Sequence, residues 1–181
     1  TEDIVMYDCL TRSRAIISPD TNSPKSSPSI FMNKVAWTDN RNAINAINGD
    51  VYLFDLTEEQ EYRITDQTTP SECYVSTYGD QIVWEAQGDG LFLYNINANT
   101  KSQLPIDNYF VAWSYVKIYE NKVMWYTGNM CIYDLDSNQE ITLFNNVYSA
   151  NQASIYENMV ACSRNFNERV DIYLTRLVFI P

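Results

Sequence analysis

Short apolar runs separated by polar turns recur along most of the chain. The clearest stretch is 33–65, in which the apolar run 35–37 is followed by 50–55, where apolar and aromatic residues lie between two aspartates. After a polar turn, residues 61–65 return as a further short run. Short runs of this kind, bounded by Asn, Asp and Gly, are typical of β-strands. The stretch therefore predicts three consecutive strands.

The same unit occurs again further along the chain. The turn and second strand read NKVAW at 33–37, DQIVW at 80–84, NKVMW at 121–125 and NMVAC at 158–162. An aromatic residue near the end of each predicted third strand recurs at intervals of 47, 40, 39 and 40 residues, at Tyr7, Phe54, Tyr94, Tyr133 and Tyr173. The longest interval contains a Pro- and Ser-rich stretch, 19–28, which we interpret as a surface loop.

A period near 40 with four short strands in each unit predicts the blades of a β-propeller. The expected class is all-β, with about four four-stranded blades at 26–65, 70–104, 110–144 and 148–180 in one domain or propeller fragment. Residues 1–18 match the second half of a repeat and predict an N-terminal half blade. The innermost strands are expected at 28–32, 73–78, 114–119 and 153–156. A helical solenoid lacks support because no unit shows 3.6-residue periodicity, and an immunoglobulin-type sandwich does not explain the internal repetition.

Composition and charge exclude several classes of function. The 181 residues are 45% hydrophobic, enough for a substantial core. The formal net charge of -11 repels phosphate backbones and argues against nucleic-acid binding. No apolar run approaches the length of about 18 residues that a membrane span needs. The chain has no histidine, which excludes Ser-His-Asp, Cys-His and His-zinc chemistry.

Four cysteines, Cys9, Cys73, Cys131 and Cys162, lie far apart in sequence. No CxxC motif exists, and the even number permits two disulfides in three pairings. Each cysteine falls in a different part of a different unit, so no pair is evident. We therefore expect small buried thiols rather than disulfides.

The stretch K34-V-A-W-T-D-N-R41, followed by GDVYLFDL at 49–56 and EYRIT at 61–65, resembles the TolB-type β-propeller repeat, in forms found in surface proteins of methanogenic archaea and some bacteria. The resemblance covers most of the chain and is strongest at 33–65; it weakens in the units that follow, where 84–87 and 125–128 lack the Asp-x-Arg element, and at Cys162 the tryptophan is lost as well. It implies exposure outside the cell or at the cell surface, with the periplasm as the alternative. It also implies non-catalytic contact with proteins or polysaccharide.

Most signature residues of the repeat have structural interpretations. Trp37, Trp84 and Trp125 share one repeated position and are expected to pack between blades rather than stack on a sugar. Asp39 and Arg41 could form an ion pair that shapes the following loop. Three side chains at third-strand exits are expected to accept hydrogen bonds from the next turn: Asp55, Asn95 and Asp134. Calcium binding is the alternative for these acids, although no EF-hand-like run exists, and no cofactor is expected.

Catalysis and ligand binding at the axis have few candidate residues. Propeller glycoside hydrolases place a pair of carboxylates on or near innermost strands. Here only Glu72 is acidic and well placed, and a lone carboxylate is not a pair, so we expect no enzyme. Trp113 and Tyr115 lead into an inner strand and are, with Glu72, the tentative ligand-binding residues.

The sequence therefore predicts a non-catalytic propeller module that acts in protein–protein contact or assembly. Its expected partner is a protein, either another copy or the remainder of a longer parent chain. The interpretation of the chain as a fragment or processed form rests on the half blade and on the start Thr-Glu-Asp. A closed small propeller that binds polysaccharide or a small ligand at its axial mouth is the alternative, and a glycoside hydrolase is the weaker one. Association is expected at the two termini: 1–18 supplies outer strands without inner ones, and 177–180 is a final strand that is apolar on both faces. Removal of 1–18 is expected to weaken association and to leave the central blades folded.

Overall fold

The computed structural model of the chain describes residues 3–18, 22–43, 49–66, 72–106, 115–145, 153–166 and 169–177. Within these ranges the backbone forms 17 β-strands and no helix. An N-terminal hairpin comes first, with the strands β1 Ile4–Asp8 and β2 Ser13–Ser18. The chain is therefore all-β where it is described, which confirms the predicted fold class.

Three four-stranded antiparallel sheets follow the hairpin, each with its strands in chain order. Blade 1 consists of β3 Lys25–Phe31, β4 Lys34–Asp39, β5 Asp50–Asp55 and β6 Gln60–Arg63. Blade 2 consists of β7 Glu72–Tyr78, β8 Gln81–Ala86, β9 Gly90–Asn95 and β10 Thr100–Gln103. Blade 3 consists of β11 Val116–Tyr119, β12 Lys122–Tyr126, β13 Met130–Asp134 and β14 Gln139–Phe144.

Blade 4 completes a four-blade propeller arrangement and has three strands in the described part of the chain. These are β15 Ala153–Tyr156, β16 Met159–Phe166 and β17 Arg169–Arg176. The predicted terminal strand at 177–180 is not supported at its first residue. The backbone N–H of Leu177 donates to the carbonyl of Asn158 at 2.6 Å, as Leu56, Ile96 and Leu135 do to Asn33, Asp80 and Asn121. Leu177 therefore begins the turn after a third strand, and residues 178–181 lie outside the described ranges.

The same register corrects the predicted position of Tyr173. The sequence spacing aligned it with Tyr133, but the structure pairs Tyr173 with Cys162, whereas Trp125 pairs with Cys131. Tyr173 is thus the counterpart of Cys131, two residues earlier in the repeat. The second and third strands of blade 4 are both longer than those of blade 3, which explains why an interval of 40 residues was misleading.

The first inner strand also begins earlier than the sequence predicted. Strand β3 starts at Lys25, inside the stretch that was interpreted as a loop. The Lys25 side chain is buried, and its Nζ lies 4.0 Å from the Asp39 carboxylate, across the register pair of β3 and β4. This buried ion pair anchors the start of the strand, which the Pro- and Ser-rich composition concealed.

Each blade has two faces because successive side chains of a strand point in opposite directions. We call the face toward the preceding unit the backward face and the face toward the following unit the forward face. On the backward face of blade 1, Trp37 and Tyr52 pack against Ile4 and Ile17 of the hairpin. On its forward face, Val51 and its neighbours pack against blade 2.

Four apolar clusters lie between successive units in this way. They join the hairpin to blade 1, blade 1 to blade 2, blade 2 to blade 3 and blade 3 to blade 4. None of these clusters contains described residues of both blade 4 and blade 1. The core is therefore a series of sheet-to-sheet interfaces, with one uncovered sheet face at each end of the series.

Candidate functional site

The three repeated tryptophans lie between blades. Trp37, Trp84 and Trp125 are almost completely buried, and each lies on the backward face of its blade. Trp37 stacks on Tyr52 with ring centroids 6.0 Å apart, and Trp84 stacks on Phe92 at the same distance. No described tryptophan is available to stack on a sugar.

The residues at third-strand exits hold the following turns. Asp55 Oδ1 accepts hydrogen bonds from the N–H groups of Thr57 at 2.8 Å and Glu58 at 3.3 Å. Asp134 Oδ1 accepts two such bonds, and Asn95 Oδ1 accepts one from Ala98 at 2.8 Å. Asp8 does the same in the hairpin turn. Sequence analysis did not name Asp8 among these residues. Its position was nevertheless recognisable, because Asp8 follows the aromatic Tyr7 as Asp55 follows Phe54.

Asp39 and Arg41 form the centre of a partly buried polar network. The guanidinium of Arg41 contacts Asp39 at 2.6 Å, Glu61 at 2.6 Å and the Ser18 hydroxyl at 2.9 Å. Burial alone would raise the pKa of Asp39, but hydrogen bonds from Arg41 and Ser23 outweigh it and hold that pKa below its usual value. The network joins the hairpin to blade 1, so it is structural rather than open to a ligand.

The cysteines are free thiols in the structure, as the sequence indicated. Cys131 and Cys162 are buried, and Cys73 is half-buried. Burial raises the pKa of the Cys131 thiol. Cys9 lies in the hairpin turn and is exposed, so the expectation of burial is wrong for that residue.

The tentative ligand-binding residues are only partly described. Trp113 lies outside the described residues, and Glu72 is described through its backbone alone, as the first residue of β7. Tyr115 lines a cleft of about 550 Å³ between blades 3 and 4, together with Lys117 and with Ser154 and Ile172, which also belong to the exposed forward face of blade 4. The Lys117 ammonium lies 5.0 Å from the centre of the Tyr115 ring. The structure therefore does not bring the three candidates into one described site.

A row of aromatic rings runs along the ends of the inner strands. Phe31, Tyr78, Tyr119 and Tyr156 are the last residues of β3, β7, β11 and β15. Their ring centroids are 4.2, 4.8 and 5.3 Å apart in that order. We call this row the aromatic ladder. Burial and the neighbouring Tyr78 raise the pKa of Tyr119 to about 12. Sequence analysis missed the ladder, although the signal is plain: in each unit the aromatic residue stands two positions before the Asn or Asp of the turn.

Serine hydroxyls join inner strands of successive blades. Ser29 Oγ accepts a hydrogen bond from the N–H of Thr77 at 3.0 Å, and Ser76 Oγ accepts one from Ile118 at 3.2 Å. Both serines lie on the forward face of their blade, opposite Ala36 and Val83 in register. In blade 4 the corresponding residue is Ser154, opposite Ala161, and it is exposed.

The forward face of blade 4 is apolar and uncovered. Ile172 and Leu174 are 84% and 71% exposed, and Tyr156, the end of the aromatic ladder, is 57% exposed. Met159 adds a further partly exposed apolar side chain. We call this surface, formed by Ser154, Tyr156, Met159, Ile172 and Leu174, the head.

The hairpin exposes a second apolar surface at the other end of the series. Val5, Tyr7 and Ile16 lie on its backward face and are 41%, 59% and 56% exposed. Their neighbours Ile4 and Ile17 point the other way and are buried against blade 1. We call the surface of Val5, Tyr7 and Ile16 the tail. The head and the tail are the candidate functional surfaces of the described chain.

The described residues contain no group of three or more Cys, Asp or Glu side chains that could hold a metal ion. No helix among them is long and apolar enough to cross a membrane.

Comparison with known proteins supports the fold and not a function. A scan of protein families finds no matching family, and a search of curated proteins finds no match. The chain is similar to the crystal structure of the computationally designed Ika4 protein, with a TM-score of 0.61, 11% identity, and coverage of 88% of this chain and 94% of that one. It is also similar to a chain of a nidogen/laminin complex, with a TM-score of 0.66, 12% identity and 90% coverage of this chain.

A third similar structure is the computationally designed Ika8 protein, with a TM-score of 0.55, 12% identity and coverage of 82% of this chain. The chain spans 65% of the matched nidogen/laminin chain and 45% of the Ika8 chain. At these identities the likeness concerns the fold alone.

Proposed function

We propose that this chain is a non-catalytic protein-contact module whose repeats are of the TolB type. The observation that carries the proposal is the head, where Ile172 and Leu174 expose most of their apolar surface on the forward face of blade 4. Contiguous exposed apolar patches mark interaction sites in soluble proteins. The resemblance of 34–41 to surface-protein repeats supports a location outside the cell or at its surface.

The chemistry of the described residues is consistent with contact rather than catalysis. Of the five buried acids among the described residues, four form ion pairs with lysine or arginine: Asp39, Asp50, Asp55 and Asp134. The fold also occurs in a chain of a nidogen/laminin complex, which is a complex of two proteins. A propeller offers such a module a rigid framework on which sheet faces and loops can be presented.

The proposal is tested by comparing proteins retained by three immobilised forms of the chain. These are the unaltered chain, the head variant Ile172→Lys/Leu174→Lys, and the control Leu10→Lys/Met32→Lys, whose side chains are exposed apolar residues of turns. Surface and secreted proteins of the producing cells are applied, and each protein lost only with the head variant is purified and titrated directly. Direct binding that depends on Ile172 and Leu174 is expected. Equal retention by all three forms would contradict the proposal.

The cleft beside Tyr115 favours a second candidate, binding of a polysaccharide or small ligand at the axial side. Its volume of about 550 Å³ is sufficient for a small ligand. The ring of Tyr115 and the ammonium of Lys117 could contact sugar rings and hydroxyls. A glycan array probed with the unaltered chain and with Tyr115→Ala tests this candidate. A glycan that binds the former and not the latter supports it, and the absence of any bound glycan contradicts it.

A further inference from the structure

We infer that the occupant of the head is the tail of a second copy of this chain, so that copies associate head to tail. The inference rests on the proposed contact function and specifies its partner. It is based on a comparison within the chain. Positions that are exposed in blade 4 are covered by the next blade in blades 1 to 3, and these internal interfaces show what kind of surface covers them.

The register identifies the counterparts of the exposed head residues. Leu174 pairs with Ala161 as Leu53 pairs with Ala36, and as Leu93 and Ile132 pair with Val83 and Met124. Ile172 corresponds in the same way to Val51, Leu91 and Met130. These counterparts are apolar and buried or half-buried, because the next blade packs on each of them. Blade 4 thus carries the side chains of an interface whose other half is missing from the described structure.

Two further features of the head repeat the internal interfaces. Ser154 stands where Ser29 and Ser76 accept a backbone N–H of the next inner strand. Tyr156 ends the aromatic ladder, so one side of its ring is open to another aromatic ring. The apolar, polar and aromatic elements of a blade interface are therefore present together on one face.

The hairpin corresponds to the third and fourth strands of a blade, so the tail can cover Ile172 and Leu174, whereas Ser154 and Tyr156 lie where an inner strand would follow and are not covered by it. In blade 2, Phe92 and Tyr94 of β9 pack on the cluster that includes Val51 and Leu53. Val5 and Tyr7 hold the same positions in β1, three residues and one residue before Asp8, as Phe92 and Tyr94 stand before Asn95. Among the described residues, the tail is thus a backward face on which no sheet packs, and the head is a forward face on which no sheet packs.

Because the two surfaces differ, the association is heterologous rather than a symmetric pairing of two heads. Each copy offers one head and one tail, so the association can extend beyond two copies. The sheet-to-sheet contacts inside the chain are noncovalent. The same kind of contact can therefore form between separate chains.

The test measures the mass of the full chain by sedimentation over a range of concentrations. The head variant is Ile172→Lys/Leu174→Lys, the tail variant is Tyr7→Lys/Ile16→Lys, and the control is Leu10→Lys/Met32→Lys. Lysine is chosen because added positive charge reduces the repulsion between chains of net charge -11, so lost association cannot arise from increased repulsion. All replaced side chains are exposed, and circular dichroism verifies that each variant is folded.

The unaltered chain and the control are expected to grow in mass with concentration. The head variant alone and the tail variant alone are expected to remain monomeric. An equimolar mixture of these two variants retains one intact head and one intact tail, so it is expected to form a one-to-one dimer and nothing larger. Formation of this dimer also demonstrates that both variants are folded.

The inference is overturned if the unaltered chain stays monomeric, if the tail variant associates as the unaltered chain does, or if the mixture gives no dimer. Association by the tail variant would indicate pairing of two heads. Suppose that the unaltered chain is monomeric and directly binds a protein that the head variant does not bind. This result would refute the second copy as occupant and leave the contact function standing. A monomeric chain whose head variant retains every protein would refute both.

Discussion

At the residue scale, the three buried tryptophans fill the space between blades. Replacing Trp37, Trp84 or Trp125 by Ala is expected to leave a large cavity and to cost about 3–5 kcal/mol of unfolding free energy. Urea unfolding followed by tyrosine fluorescence and circular dichroism measures the loss. If two of the three changes left stability unaltered and instead abolished binding of a sugar, the structural interpretation would be wrong.

The indole nitrogens distinguish two of these tryptophans. Trp37 Nε1 lies 3.5 Å from an oxygen of Asp39, whereas Trp125 Nε1 is buried with no hydrogen-bond partner among the described residues. Phe in place of Trp125 would remove an unsatisfied donor, while Phe in place of Trp37 would take a donor from Asp39. Trp125→Phe should therefore destabilise the protein less than Trp37→Phe in the same unfolding experiment.

The contribution of Asp55 to folding stability depends on pH. The hydrogen bond from Lys34 is the largest cause that lowers the pKa of Asp55 below 3.8, and the N–H groups of the turn add to it. A carboxyl with a lowered pKa in the folded state contributes stability above its unfolded pKa, and this contribution is lost as pH falls through the folded pKa. Asp55→Asn should therefore reduce stability at pH 7, and its difference from the unaltered chain should diminish as pH falls below 3.8.

Asn95 supplies the matched control for this change, because it holds the equivalent turn with an amide oxygen. Thermal unfolding at several pH values compares Asp55→Asn with Asn95→Asp. A constant difference between the unaltered chain and Asp55→Asn from pH 7 to pH 2 would show that the ion pair with Lys34 does not contribute.

At the element scale, the turns between third and fourth strands share a strained position. Glu59, Asn99 and Asn138 all adopt positive φ values, of 54°, 51° and 54°. Asn tolerates the left-handed region better than other residues with side chains, for which it costs roughly 1–2 kcal/mol. Glu59→Asn is therefore expected to raise the unfolding free energy by about 0.5–1 kcal/mol. The reverse change, Asn99→Glu, should lower it by a similar amount.

Removal of the N-terminal hairpin is expected to destabilise blade 1, which the sequence did not indicate. Sequence analysis led us to expect that deletion of 1–18 would weaken association and leave the central blades folded. The structure shows that the hairpin covers Trp37 and that Arg41 donates to Ser18. Deletion should therefore also destabilise blade 1, which hydrogen exchange resolved by segment would detect as faster exchange in 34–39 than in 122–126. Equal exchange in both segments would show that the cover is dispensable.

At the scale of the whole molecule, the chain is a series of sheets that each contact the preceding and following ones. Stability is then distributed over interfaces between neighbours, and the two end faces remain uncovered. The net charge of -11 opposes association of copies through these faces. Salt screens this repulsion, because the Debye length falls from about 10 Å at 0.1 M to about 3 Å at 1 M.

Association should accordingly strengthen as sodium chloride is raised from 0.05 to about 0.5 M. Sedimentation at fixed protein concentration measures the change, with the head variant as the control that remains monomeric. Weaker association at higher salt would indicate that ion pairs, rather than the apolar head and tail, hold the copies together.

The sequence by itself determined the all-β fold, the repeating unit and its phase in the first three blades. It could do so because alternation, turn residues and the Val-x-Trp run are local signals that recur at fixed spacing. Asp55, Asn95 and Asp134 were recognisable for the same reason, since each acts on the turn that directly follows it.

Apart from the three repeated tryptophans, the tertiary structure decided which side chains are covered. The phase of β17, and with it the place of Tyr173, follows from pairing with β16 and could not be read from spacing. The aromatic ladder depends on contacts between different blades. The exposure of Ile172 and Leu174 depends on the presence or absence of a following sheet, because the same apolar pattern is buried in the blades that have one.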